Sequence, residues 1–219
     1  DPPADLDPSK KEAWDSVVVG RSVNVVVGPP GVGKTYLVAR LIESVLVHTP
    51  SARILISSQN HETLISMEHE LKGVLKPLGN MVVRVQKTDV EADATALRQT
   101  SRDFLDAVSR ADTAGPLANP YREIREALRP ADGSEQAGAE RVLRDTDNLL
   151  LRSSDVTLAT TSSPFIEEMI ADGEQFDWVF VEEAARANGA ELVGALLLGN
   201  RRVMIGDHRQ LSPFEASER

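Results

Sequence analysis

The sequence predicts an α/β protein built on a mainly parallel sheet, with helices covering both faces. Three observations predict this. Short apolar runs recur at Val23–Val27, Arg53–Ser57, Val82–Val85, Val156–Ala159, Trp178–Val181 and Arg202–Ile205. Most lack the apolar–polar alternation of a half-exposed strand, as expected when both faces of a sheet are buried. Helical patterns fall between these runs, and alternation of strands with helices favours parallel pairing. The first run leads directly into Gly28-Pro29-Pro30-Gly31-Val32-Gly33-Lys34-Thr35, which fits the pattern G-x-x-x-x-G-K-[ST] between a strand and a helix.

The helices follow from spacing. Leu37, Val38, Leu41, Ile42, Val45 and Leu46 keep helical periodicity after the glycine-rich loop, and Thr63 to Val74 places Leu64, Met67 and Leu71 on one face. Residues 88–153 differ. Leu97, Phe104, Leu105 and Val108 sit at helical spacing, as do Tyr121, Ile124 and Leu128, and later Val142, Leu143 and Leu150. Breakers lie between them at Gly115-Pro116, Asn119-Pro120 and Arg129-Pro130-Ala131-Asp132-Gly133. From Asp89 to Asn148 there are thirteen acidic residues and eight arginines but no lysine. The segment reads as a helical insertion into a core of residues 1–87 and 154–219, or as a long connection whose charge run is a solvated face.

Bulk properties bound the function. The chain has 219 residues, enough for one substantial domain, with 41% hydrophobic and 26% charged residues. A net charge of −10 argues against a broadly basic nucleic-acid-coating surface but leaves room for a local groove. No apolar run approaches the roughly 18 residues of a membrane span. The absence of cysteine excludes disulfides and thiolate metal sites. The chain starts Asp1-Pro2-Pro3-Ala4-Asp5, with neither a basic nor an apolar leader and no initiator Met, so we expect a fragment or processed chain of cytoplasmic location.

The loop carries the clearest chemistry. Its glycines let successive N–H groups point into one concavity, and the next helix adds its dipole and free N–H groups. The nucleotide-binding candidates are Gly28, Pro29, Pro30, Gly31, Val32, Gly33, Lys34, Thr35 and Tyr36. Lys34 is placed to reach the β- and γ-phosphates of a nucleoside triphosphate, and the Thr35 hydroxyl to reach Mg²⁺. The run ending Val181-Glu182-Glu183-Ala184 puts two carboxylates at a strand end, where open α/β sheets place ligands. One carboxylate suits the Mg²⁺ shell and its neighbour the attacking water, or the pair simply caps a helix starting near Ala184. A further strand ends in Gly206-Asp207-His208-Arg209-Gln210-Leu211; Gln210 is placed for the γ-phosphate or water and Asp207 for loop order, unless this is only a polar turn.

In order and spacing, these segments resemble the first RecA-like motor domain of superfamily 1 helicases of the nonsense-mediated-decay type, an AAA-type helicase domain. Gly28–Thr35 is similar to motif I, Val181-Glu182-Glu183-Ala184 to motif II and Gly206–Leu211 to motif III. Ser57-Ser58-Gln59-Asn60-His61 resembles motif Ia, and Ala159-Thr160-Thr161-Ser162-Ser163-Pro164 resembles motif Ic. The resemblance implies a RecA-like phosphate-loop fold in which the strands of motifs I, III and II are neighbours. It implies Lys34, Glu183 and Gln210 as catalytic residues, with Thr35 and Glu182 as the metal ligands. Ser58, Asn60, His61, Thr160, Thr161 and Ser162 are then nucleic-acid contacts; small hydrogen bonders suit phosphate and sugar, which position a strand without reading its sequence. Single-stranded RNA or DNA is the implied ligand.

Two positions depart from the family pattern. Glu182 stands where Asp is usual. Upstream, Leu6-Asp7-Pro8-Ser9-Lys10 resembles the adenine-reading segment, with Lys10 in place of Gln; the bland reading is a helix start capped by Ser9. The family's motifs IV to VI, on a second RecA-like domain that carries an arginine finger, have no counterpart in this sequence. The expectation is an ATP-binding motor domain that hydrolyses poorly alone, such fingers being worth about 10³–10⁵ in rate. The alternative is a nucleotide-controlled interaction switch, with a protein partner at the acidic insertion.

Overall fold

The computed structural model describes residues 2–85, 101 and 136–207. The chain forms two compact units, one of Asp1–Val85 with Ser154–Arg219 and one of Gln86–Ser153.

The first unit is a six-stranded sheet in the order β1-β6-β5-β2-β4-β3. The strands are β1 (Val23–Val27), β2 (Ile54–Ser58), β3 (Val82–Arg84), β4 (Val156–Thr160), β5 (Phe176–Glu182) and β6 (Gly199–Gly206). Every pairing is parallel. All six expected runs form strands, and those of the three main motifs are neighbours as the order β1-β6-β5. Helices α1 (Pro8–Val18), α2 (Lys34–His48) and α3 (His61–Leu75) pack their apolar stripes on one face. That core joins Trp14, Leu41, Ile42, Leu64, Met67 and Leu71 to Ile54, Ile56, Leu158, Phe180, Val203 and Ile205. In the second unit, α4 (Gln136–Ser153) spans the expected Val142, Leu143 and Leu150, and the Ser101 hydroxyl donates to Asp147. The expected helical positions Leu97, Phe104, Leu105, Val108, Tyr121, Ile124 and Leu128 lie outside the described residues.

Helices α5 (Pro164–Ala171) and α6 (Gly189–Leu197) cover the other sheet face, with Phe165, Ile166, Met169 and Ala195 buried. They pack against each other, and α6 packs against β5 and β6. They do not extend over β1, the edge strand. Val23, Val25 and Val27 remain 46%, 63% and 55% exposed, so helices cover both faces of the sheet as expected but leave one face of this edge strand open. Val26 and the buried Asn24 point the other way.

Local chemistry sets the helix starts. Asp7, not Ser9, caps α1: its carboxylate accepts the Lys10 N–H, and Ser9 donates its hydroxyl to the same carboxylate. Asn60 caps α3 and Ser163 caps α5. No long helix begins at Ala184; a 3₁₀ turn spans Ala184–Arg186 and α6 starts at Gly189, capped by Asn188.

Two glycines give opposite expectations. A Cβ on Gly199, where β6 begins beside β5, would lie 2.7 Å from Val179 Cγ2 and 2.9 Å from its Cβ. Gly73 in α3 is exposed and a Cβ there meets nothing within 4 Å. We expect Gly199→Ala to destabilise by about 1–3 kcal/mol, and Gly73→Ala to stabilise by about 0.5–1 kcal/mol. Denaturant unfolding of the two variants checks the signs.

Candidate active site

The parallel sheet brings the expected residues to one edge. Ser58, the last residue of β2, pairs in register with Thr160 of β4 on one side and Glu182 of β5 on the other. Val27 pairs with Gly206, and the Gly28 N–H donates to the Gly206 carbonyl at 3.1 Å. The loop therefore leaves β1 beside the point where β6 gives way to Asp207, which is buried.

The loop has the backbone its glycines allow. Gly31 and Gly33 have φ of 77° and 80°, the left-handed region that a side chain strains. Gly33 is the N-cap of α2 and supplies no side-chain hydrogen bond, which leaves the first-turn N–H groups available to an anion. Lys34 is half-buried, and its ammonium donates to the carbonyls of Gly28 at 2.7 Å and Pro29 at 2.8 Å. It thus folds back over its own loop, with its charge where phosphate oxygens would sit. Thr35 and Tyr36 follow in the first turn; the Tyr36 hydroxyl donates to the Asp5 carboxylate, and the Arg40 guanidinium lies over its ring at 5.1 Å.

Glu182 is 4% exposed, and its Oε1 is buried without a hydrogen-bond partner. Burial pushes its carboxyl up to about 7; the Lys34 ammonium opposes the shift and the Glu183 carboxylate adds to it. Glu183 sits at φ 52°, ψ 36°, the one non-glycine with positive φ among the described residues. Such backbone strain costs on the order of 1 kcal/mol or more and concentrates at functional sites. Its Oε2 lies 3.5 Å from the Arg186 guanidinium, an ion pair without a hydrogen bond.

Two partners at this edge are not among the residues the sequence singles out. Arg186 is discoverable from its i,i+3 spacing to Glu183. Glu191, whose carboxylate accepts the Thr161 hydroxyl at 3.4 Å, lies thirty positions away and gives no signal.

The nucleic-acid candidates divide by accessibility. Ser58, Thr160 and Thr161 are 0%, 8% and 4% exposed. Asn60 uses its carbonyl oxygen to cap α3, accepting from Glu62 at 2.9 Å. His61 opens α3 with a buried Nδ1 that lacks a partner, and Ser162 is exposed. Gln210 lies outside the described residues.

A glycine loop between a strand and a helix, an anion-ready first turn and two carboxylates at the end of β5, one strand beyond β6 at the same sheet edge, define a RecA-like phosphate-loop nucleotide-binding domain. Residues 5–218 match the family described as AAA domain, and the chain belongs to that family. DNA-binding protein SMUBP-2 of Rattus norvegicus is 25% identical over 232 residues, covering 98% of this chain and 22% of that protein. ATP-dependent helicase NAM7 of Saccharomyces cerevisiae is 26% identical over 214 residues, covering 96% of this chain and 20% of its own length. The chain thus spans about a fifth of these relatives. A solved nuclease-deletion mutant of the Type ISP restriction-modification enzyme LlaGI, in complex with a DNA substrate mimic, matches with a TM-score of 0.52 at 13% identity. That match covers 97% of this chain and 19% of that one, and it shows the fold.

The raised Glu182 carboxyl has a stability consequence. Its pKa is about 7 in the folded chain against 4.5 for the free group, so the folded state holds more protons between these values and stability falls as pH rises through the window. In metal-free buffer we expect this group to remove on the order of 3 kcal/mol of stability between about pH 5 and pH 8. Glu182→Gln should flatten that slope and raise stability at the alkaline end. An unchanged slope in chemical-denaturation curves of the variant would contradict the assignment.

Proposed function

We propose that this chain is the nucleotide-binding motor domain of a superfamily 1 helicase, coupling ATP hydrolysis to movement along nucleic acid. The observation that carries the reading is the convergence at one sheet edge of the Lys34 loop, the Glu182–Glu183 pair and the Gly206–Asp207 turn, in the order β1-β6-β5. The names of the relatives support it, as does the backbone-contact chemistry of the residues ending β2 and β4 beside Glu182.

In this reading the first-turn N–H groups of α2 hold the phosphates. The Lys34 ammonium exchanges the Gly28 and Pro29 carbonyls for phosphate oxygens and neutralises their charge. Glu183 takes a proton from the water that attacks the γ-phosphorus, as the bond to the β-phosphate oxygen breaks. Gln210 orients the same water.

The residues fit Mg²⁺. Glu182 offers a buried carboxylate oxygen without a partner, and Thr35 offers a hydroxyl. These are hard oxygen donors, and Mg²⁺ commonly takes one or two protein ligands and completes its shell with phosphates and water. When bound, the ion supplies further charge neutralisation on the phosphoryl oxygens.

Strand contact falls to the loops after β2 and β4. Asn60, His61 and Ser162 are the accessible members, while Ser58, Thr160 and Thr161 hold the loops from within. We read residues 88–153 as an accessory insertion, supported by the separate compact unit Gln86–Ser153.

Lys34→Ala should lower nucleotide affinity at least about tenfold, read by calorimetric titration. Glu183→Gln should keep nucleotide binding but cut single-strand-stimulated turnover of the full-length protein by about 10²–10⁴. Unchanged turnover in both variants would refute the site assignment.

A further inference from the structure

The phosphate loop shares its cavity with the first turn of α1. The space is about 420 Å³, within the usual range for small-molecule sites. Ala13, Val26, Val32 and Leu37 form its apolar wall. Its polar side chains are Asp7, Ser9, Lys10 and Lys34. Lys34 belongs to the phosphates. The other three form one assembly at the α1 end: the Asp7 carboxylate accepts the Lys10 N–H at 3.0 Å and the Ser9 hydroxyl at 2.7 Å, and its second oxygen holds the Lys10 ammonium. These bonds keep the Asp7 carboxyl well below the usual carboxylate range, so it stays a carboxylate. The Lys10 stem crosses close over the loop: a Cβ on Gly33 would lie 3.2 Å from its Cε and 3.7 Å from its Nζ.

With phosphates on the loop N–H groups, the rest of the cavity is left to the nucleoside. We propose that Lys10, positioned by Asp7, reads the base, and that it selects purines carrying a 6-oxo group, so that the site takes GTP and ITP in preference to ATP. This rests on the phosphate-loop reading above and adds the base to it.

The chemistry is that of a group with donors and no acceptor. An ammonium can give hydrogen bonds but accept none. The purine N7 accepts in every case, so the 6-position decides. A keto oxygen there accepts a second bond from the same ammonium, whereas the amino group of adenine turns an N–H toward a cation. The same edge chemistry pairs lysine with guanine O6 and N7, and glutamine with adenine N6 and N7, in double-helical recognition, with a discrimination of about 5- to 150-fold per contact. Because Asp7 already balances the Lys10 charge, the ammonium is held for geometry and not drawn wholly to the triphosphate.

The test is equilibrium titration of the chain with ATP, GTP, ITP and inorganic triphosphate, in the wild type and in Lys10→Gln and Lys10→Arg. We expect both GTP and ITP to bind more tightly than ATP in the wild type. Lys10→Gln should shift the ratio toward ATP by about tenfold without changing inorganic triphosphate binding. Lys10→Arg, which keeps the donors, should retain the wild-type order. A tenfold wild-type preference for ATP over both GTP and ITP overturns the proposal while leaving the phosphate site intact. So does ITP behaving like ATP while GTP binds more tightly, because the 2-amino group would then be the feature read. Equal weakening of all four ligands in Lys10→Gln would also overturn it, making Lys10 a phosphate ligand. Failure of all four to bind the wild type defeats the phosphate-loop reading and this proposal with it.

Discussion

Parallel pairing is the constraint on which the site depends. When every strand runs the same way, every strand releases its chain at the same edge. Gly28, Ser58, Thr160, Glu182 and Gly206 are far apart in sequence, yet the register of the sheet sets them side by side. The sheet obtains this alignment from buried β-branched and aliphatic residues: β2 and β4 are buried along their whole length. A one-residue slip would turn Ile54 and Ile56 away from the core and carry Ser58 off its Glu182 neighbour, so packing and site geometry are enforced together.

The electrostatics follow from burial at that edge. Glu182 and Glu183 are adjacent carboxylates with a lysine ammonium nearby, and water reaches Glu182 poorly. Desolvation dominates the balance and pushes the Glu182 carboxyl up despite the ammonium. Glu183 is treated differently: left-handed backbone turns it out of the strand line, and Arg186 stands beside it. Two like residues in sequence are thereby given unlike environments, a common route to a division between binding and proton transfer.

Much of this was legible in the sequence because both signals were local. Apolar runs gave six strands, and the loop pattern gave the phosphate site. The ends were harder. β6 begins at Gly199, three residues before the run that marks it in the sequence; Arg201 lies in the strand, its guanidinium 4.3 Å over the Trp178 ring. Asp7 outcompeted Ser9 for the α1 cap because a carboxylate there could bond Lys10 twice, through backbone and side chain. The exposed valines of β1 were hidden for another reason: an apolar run shows that a residue can be buried, not that a helix lies above it. Thr161 looked like a free hydroxyl until the fold brought Glu191 to it. Non-local partners leave no trace in spacing.

The hydrogen bond from Gly28 to Gly206 has a mechanical meaning. As the sheet's edge strand, β1 has one neighbour, β6, and this bond extends their seam one residue past the end of β1. The first residue of the phosphate loop is therefore fastened to the strand that ends at Asp207, and not to the one that carries Glu182. Sliding of β6 along β5 would drag the loop with it and change the loop's distance from both carboxylates. The β5–β6 register therefore sets the distance between the loop and the carboxylates.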